Sequence, residues 1–168
     1  MNDNQNIEFD AQLRVGLLHK MEKRFDKNDV VYFKQLLNHE DNVIRTRAVC
    51  ILAEIGGKKV VDAISDTLEN DKDSLVRHEA AFALGQLGFT DALNELSHAI
   101  SSDPSLFVRH EAAIAMGVIG SELGRHPLEH ALSDETKEVR ESAKIALANL
   151  DYISSMKRKG KFSRLTGG

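Results

Sequence analysis

The sequence predicts an all-α solenoid, a superhelix of four to five stacked helical hairpins, and three observations carry that prediction. A segment recurs at a nearly fixed step, with Arg45, Arg77, Arg109 and Arg140 spaced 32, 32 and 31 residues apart. A period of that size marks a two-helix unit that stacks on copies of itself. Apolar residues inside each unit recur at three and four positions, as at Val76, Ala80, Ala83, Leu84 and Leu87, which lays one wide buried stripe along a helix. No alternating strand pattern or hairpin signal interrupts the series.

Taken in order, the elements begin with a capping hairpin over 10–38, built from a helix over 10–25 and another over 30–37. Leu13, Leu17 and Met21 give the first of these an amphipathic spacing, and a cap covers the exposed end of the stack. The repeats occupy 39–153. Each has a shorter helix, such as 63–68 or 92–100, then a turn rich in Asp, Asn and Ser, then a longer helix ending at Gly56, Gly88 or Gly120. Those glycines suit the left-handed position after a helix C-terminus. Abundant alanine in the longer helices permits close approach between them. The domain therefore spans 1–153, and 154–168 reads as a basic, flexible tail.

Charge and composition narrow the function. The net charge is −4, every acidic residue lies at or before Asp151, and Lys157, Arg158, Lys159, Lys161 and Arg164 follow it. Removing those five cations leaves the body at −9. So acidic a surface is ill suited to nucleic acid, which is held by Lys and Arg on phosphates. No apolar run approaches the roughly 20 residues that span a bilayer. The N-terminus lacks an apolar signal core, and the single cysteine, Cys50, fits a reducing cytoplasm.

One segment exceeds what the scaffold needs. Arg-His-Glu-Ala-Ala stands at 77–81 and again at 109–113. The arginine and the alanine at its fourth position recur in all four repeats and belong to the fold. The His-Glu pair does not, because the first repeat has Thr46-Arg47 and the fourth Glu141-Ser142 at those positions. Consecutive helical residues point about 100° apart, so both can project from one obliquely facing side. Stacking is expected to bring His78 near His110 and Glu79 near Glu111 on helices about 8–10 Å apart. Two imidazoles with carboxylates can hold a metal ion, and nitrogen plus hard oxygen without thiolate favours iron, manganese or zinc. Two histidines and a carboxylate with open positions match an oxygen-activating, non-haem iron site.

Gly85 and Gly117 lie seven residues after the two histidines, on the same face two turns on, where the first and fourth repeats have Ala53 and Ala148. A mid-helix glycine costs about 1 kcal/mol relative to alanine. Their matched placement predicts room beside the histidines, so both are expected to line a pocket; the competing explanation is tight helix packing. Cys50 aligns with Phe82 and Ile114 and reads as a small buried residue, and His39-Glu40 falls in a turn, outside the register.

These motifs resemble the deoxyhypusine hydroxylases, a family of HEAT-repeat dinuclear iron monooxygenases marked by paired His-Glu motifs; the repeat type is shared with phycobilin lyases. The likeness runs over about 40–153 and rests on Val76 to Gln86 and Val108 to Gly117. It implies a HEAT-like superhelix, iron as cofactor, His78, Glu79, His110 and Glu111 as ligands, and oxidation of a protein side chain or cationic amine. Family members carry two such halves and four His-Glu pairs, whereas this chain has one half and two pairs. The resemblance therefore implies a homodimer, with one iron per chain or two per dimer. The alternative is a non-catalytic HEAT scaffold that binds a protein partner on its concave face.

Overall fold

The computed structural model describes residues 3–158, with side chains from residue 12 onward. Among the described residues there are nine α-helices and no strand. They are α1 (Asp3–Phe25), α2 (Val30–Leu36), α3 (Asn42–Ile55), α4 (Val61–Asn70), α5 (Ser74–Leu87), α6 (Leu93–Ser102), α7 (Leu106–Ile119), α8 (Arg125–Ala131) and α9 (Lys137–Arg158). None is long and apolar enough to cross a membrane.

The helices form two layers. The longer ones, α3, α5, α7 and α9, pack each on the next, and α4, α6 and α8 make a second row behind them. Ile44, Leu52, Ile64, Leu84, Leu96, Met116, Leu128 and Leu150 are essentially sealed between the rows. Each such side chain contributes about 1.5–3 kcal/mol on burial. The α1–α2 hairpin closes the N-terminal end, with Met21 and Phe33 fully buried.

Local signals in the sequence start and stop these helices. The Asp41 and Asp73 carboxylates accept hydrogen bonds from the Val43 and Leu75 amides and so cap α3 and α5. Gly88 and Gly120 end α5 and α7 in the left-handed region, at φ of 74° and 66°. The first repeat departs from the expectation, because Gly56 has φ −96° and Gly57, at +54°, makes the reversal. A short 3₁₀ turn over Gly57–Val60 follows α3 directly, and Gly56 is small because a Cβ there would run into the Val60 side chain.

The recurring arginines stitch the stack. Arg45, Arg77 and Arg109 each grip an aspartate of the following turn with Nε and Nη2. The partners are Asp71 at 2.6 and 2.9 Å, Asp103 at 2.7 and 3.0 Å, and Asp134 at 2.8 and 3.2 Å. In each case Nη1 donates to a carbonyl of the preceding turn, at His39, Asp71 and Asp103. All three arginines are buried, and the bidentate geometry satisfies them there. Among the described residues Arg140, in the closing repeat, keeps only the carbonyl contacts, to Asp134 and Glu135.

The C-terminal boundary is later than the sequence suggests. Helix α9 runs to Arg158, so the first five residues assigned to the tail are helical. Ile153 packs into the core and the Ser154 hydroxyl bonds Glu122, which anchors that extra turn. The rest of the expected tail, 159–168, lies outside the described residues.

Candidate functional site

Helix α5 presents His78 and Glu79 one turn after its start, and α7 presents His110 and Glu111 at the matching place. The arginine before each pair points into the inter-repeat turn, so the next two residues rotate toward the side of the inner row facing away from α4, α6 and α8. The contacts they make are diagonal, where the sequence predicted like beside like. His78 Nε2 lies 3.5 Å from Glu111 Oε2, and His110 Nδ1 lies 2.7 Å from Ser142 Oγ on α9. Glu79 Oε1 accepts a hydrogen bond from the Cys50 thiol on α3, at 3.0 Å.

The reason is angular. With about 100° between neighbours, the histidine faces the following helix and the acidic residue faces the preceding one. Each histidine therefore meets the next position along in the following repeat, and in the first repeat the contact comes instead from Cys50, one turn beyond the histidine-equivalent Thr46. The result is a ladder of three rungs: Cys50 with Glu79, His78 with Glu111, and His110 with Ser142.

Environment differs along the ladder. The Glu111 side chain is 11% exposed and that of His78 31%, so this rung is accessible mainly from the histidine side. His78 Nδ1 is buried and has no hydrogen-bond partner among the described residues. Burial, with the Glu79 carboxylate beside it, pushes the Cys50 thiol up to about 12. Cys50 thus stays protonated and acts as a donor. Ser142 is buried and also donates to the Glu138 carbonyl at 3.0 Å.

Sequence reasoning missed Cys50 and Ser142. Each had a signal: Cys50 stands one turn after Thr46, on the face that the histidines occupy in later repeats, and Ser142 aligns with Glu79 and Glu111. His39, excluded as a ligand, substitutes for an aspartate in its turn, where Nδ1 accepts from the Asp41 amide.

The two glycines require a correction. A Cβ on Gly85 would sit 2.9 Å from the Ala115 Cα, and one on Gly117 would sit 2.9 Å from the Ala146 Cα. The space they create is filled by the next helix, so they set the spacing of the ladder and do not line a pocket. Beside Cys50, a groove of about 850 Å³ opens between α1, α3 and the start of α5. Met21, Phe25 and Leu75 contribute apolar surface to it, Glu22, Asp26 and Glu54 contribute carboxylates, and Arg47 contributes a guanidinium.

Among the described residues no three His, Cys, Asp or Glu side chains of one chain converge to hold a metal ion. The ladder offers ligands in pairs. Large apolar side chains flank it at matched positions and stay exposed, with Leu75 at 59%, Phe82 at 44%, Phe107 at 66% and Ile114 at 36%.

Comparison with known proteins agrees with this architecture. A family model described as HEAT repeats matches residues 61–148. No curated protein sequence matches the chain. Among solved structures, human deoxyhypusine hydroxylase in complex with glycerol aligns with a TM-score of 0.70 and 28% identity. The alignment covers 80% of this chain and 46% of the hydroxylase, so this chain spans about half the length of that protein.

Proposed function

This chain belongs to the HEAT-repeat family, and from that premise we propose that it is a deoxyhypusine-hydroxylase-like, iron-dependent oxygenase whose site is completed by a second copy of the chain. The observation that carries the reading is the rung between His78 and Glu111. Two ligands bound at about 2.1 Å to one ion lie about 3–4 Å apart, and the 3.5 Å separation of Nε2 and Oε2 falls in that range. His110 and Glu79, on the adjoining rungs, bring a further nitrogen and a further carboxylate. The donor set is nitrogen and hard oxygen, which suits iron.

Pairs of ligands are half of what a dinuclear site needs. A two-fold axis beside the ladder would set two such halves face to face, and isologous pairing is the commonest way for copies of a chain to associate. The exposed Leu75, Phe82, Phe107 and Ile114 would then be covered by the partner. Bound iron would supply oxygen activation. The chain's own part is to hold the ligands in register through the close helix contacts at Gly85 and Gly117. The groove beside Cys50, lined by apolar side chains and by three carboxylates, Glu22, Asp26 and Glu54, against the one cation Arg47, would receive a protein side chain or a cationic amine.

The same exposed apolar rows favour a second reading, a scaffold that binds a protein partner without chemistry. Sedimentation equilibrium with and without ferrous ion separates the two. The oxygenase reading expects ferrous ion to shift the chain to a dimer, and a chain that remains monomeric with iron present overturns the shared site.

A further inference from the structure

We propose that Ser142 is a positioning residue that fixes the tautomer of His110, keeping the ring proton on Nδ1 and leaving Nε2 as an electron-pair donor. The Ser142 hydroxyl is within hydrogen-bond reach of two groups, His110 Nδ1 at 2.7 Å and the Glu138 carbonyl oxygen at 3.0 Å. A carbonyl can only accept, and a hydroxyl has one proton to give. With that proton on the Glu138 carbonyl, the short contact to the ring is satisfied only when Nδ1–H donates to Oγ. The lone pair of the neutral imidazole then sits on Nε2. Ser142 is 4% exposed, so water does not compete readily for the contact.

His78, in an identical pentapeptide, has no such hydroxyl beside it: its Nε2 lies 3.5 Å from a Glu111 carboxylate oxygen. Its Nδ1 is buried with no partner among the described residues. The two histidines differ because the facing position in the next repeat is Glu111 for one and Ser142 for the other. The fold does not demand serine there, since the same place holds Arg47 in the first repeat and Glu in the two middle ones.

A ring presented in this way takes an electron-pair acceptor at Nε2: a metal cation, or the N–H or O–H of a substrate. Fixing the free nitrogen through a hydrogen bond at the other is how second partners orient a ligating histidine. The metal consequence rests on the proposed iron site. The tautomer does not, and it can be read on metal-free protein.

Long-range proton–nitrogen NMR of the metal-free chain in mildly alkaline solution is the test. The wild type should show His110 as the Nδ1–H form, and Ser142→Ala should transfer most of the population to Nε2–H. Ser142→Thr, which keeps the hydroxyl, should restore Nδ1–H. Cobalt(II) affinity in Ser142→Ala should fall about 10- to 100-fold. A wild-type His110 in the Nε2–H form, or a tautomer that Ser142→Ala leaves unchanged, overturns the assignment. Unaltered cobalt(II) affinity in a variant whose tautomer has switched removes the positioning role. If the tautomer behaves as stated while the wild type binds no metal, the iron reading fails and the assignment of Ser142 stands.

Discussion

Two ladders run side by side along the same four helices, and they obey different rules. The arginine ladder repeats one bond three times, Arg45 to Asp71, Arg77 to Asp103 and Arg109 to Asp134, with distances that vary by a few tenths of an ångström. The neighbouring ladder changes its chemistry at each rung, from thiol and carboxylate to imidazole and carboxylate to imidazole and hydroxyl. A contact that every repeat needs is copied unchanged. A contact that varies from repeat to repeat is not demanded by stacking, and the two inner repeats that depart from the rest are the ones on which the proposed site rests.

The sharpest way to break this comparison is to cut each ladder at adjacent residues. Arg77→Ala leaves Asp103 buried and unpaired, and losing one partner of a buried ion pair costs about 3–5 kcal/mol. His78→Ala, one residue on, removes a side chain 31% exposed that meets the buried Glu111 carboxylate only at 3.5 Å, and should cost less, about 1–2 kcal/mol. Urea unfolding of the two variants checks the contrast, and equal losses would make the histidine a structural residue.

A smaller effect is expected at the glycines. Gly85→Ala would press a Cβ to 2.9 Å from the Ala115 backbone, an overpacking cost of about 1–3 kcal/mol against a helix-propensity gain of about 1 kcal/mol. Gly16→Ala, where nothing lies within 4 Å, should stabilise by about 0.5–1 kcal/mol. Thermal unfolding that moves both variants in the same direction would deny the close helix contact.

The arginine ladder also carries an acid signature. Burial alone would raise the Asp134 carboxyl, but the Arg109 guanidinium and the Thr136 amide and hydroxyl outweigh it and hold the group below its ordinary 3.8. Its stabilisation is thus complete above 3.8 and is lost as pH falls further through the lowered value. Helical circular dichroism should hold at mildly acidic pH and give way below that point, and replacing Arg109 with Met should remove this part of the acid dependence. The slightest change is expected of Cys50→Ala, which deletes one weak hydrogen bond to Glu79.

Much of this was legible in the sequence. The step between arginines yielded the repeat, and the His-Glu pair stood out because the first and fourth repeats lack it. What periodicity could not supply was the partner of each side chain. It places residues on a face, while the 100° rotation that sends His78 forward to Glu111 and Glu79 back to Cys50 becomes visible only once the helices are stacked. Gly85 and Gly117 carry the same lesson. An absent side chain reads equally as a pocket or as a contact until the facing residue, Ala115 or Ala146, is known. Cys50 and Ser142 were hidden because each looks ordinary within its own repeat and gains its role from the next.

Whether the irregular ladder holds iron, as proposed, is read from the iron content of the purified protein beside that of His110→Ala and His78→Ala. About one iron per wild-type chain is expected, with most of it lost in either variant and the helical fold intact. Iron-free wild-type protein after anaerobic loading with ferrous ion, or variants that retain the wild-type content, would contradict it.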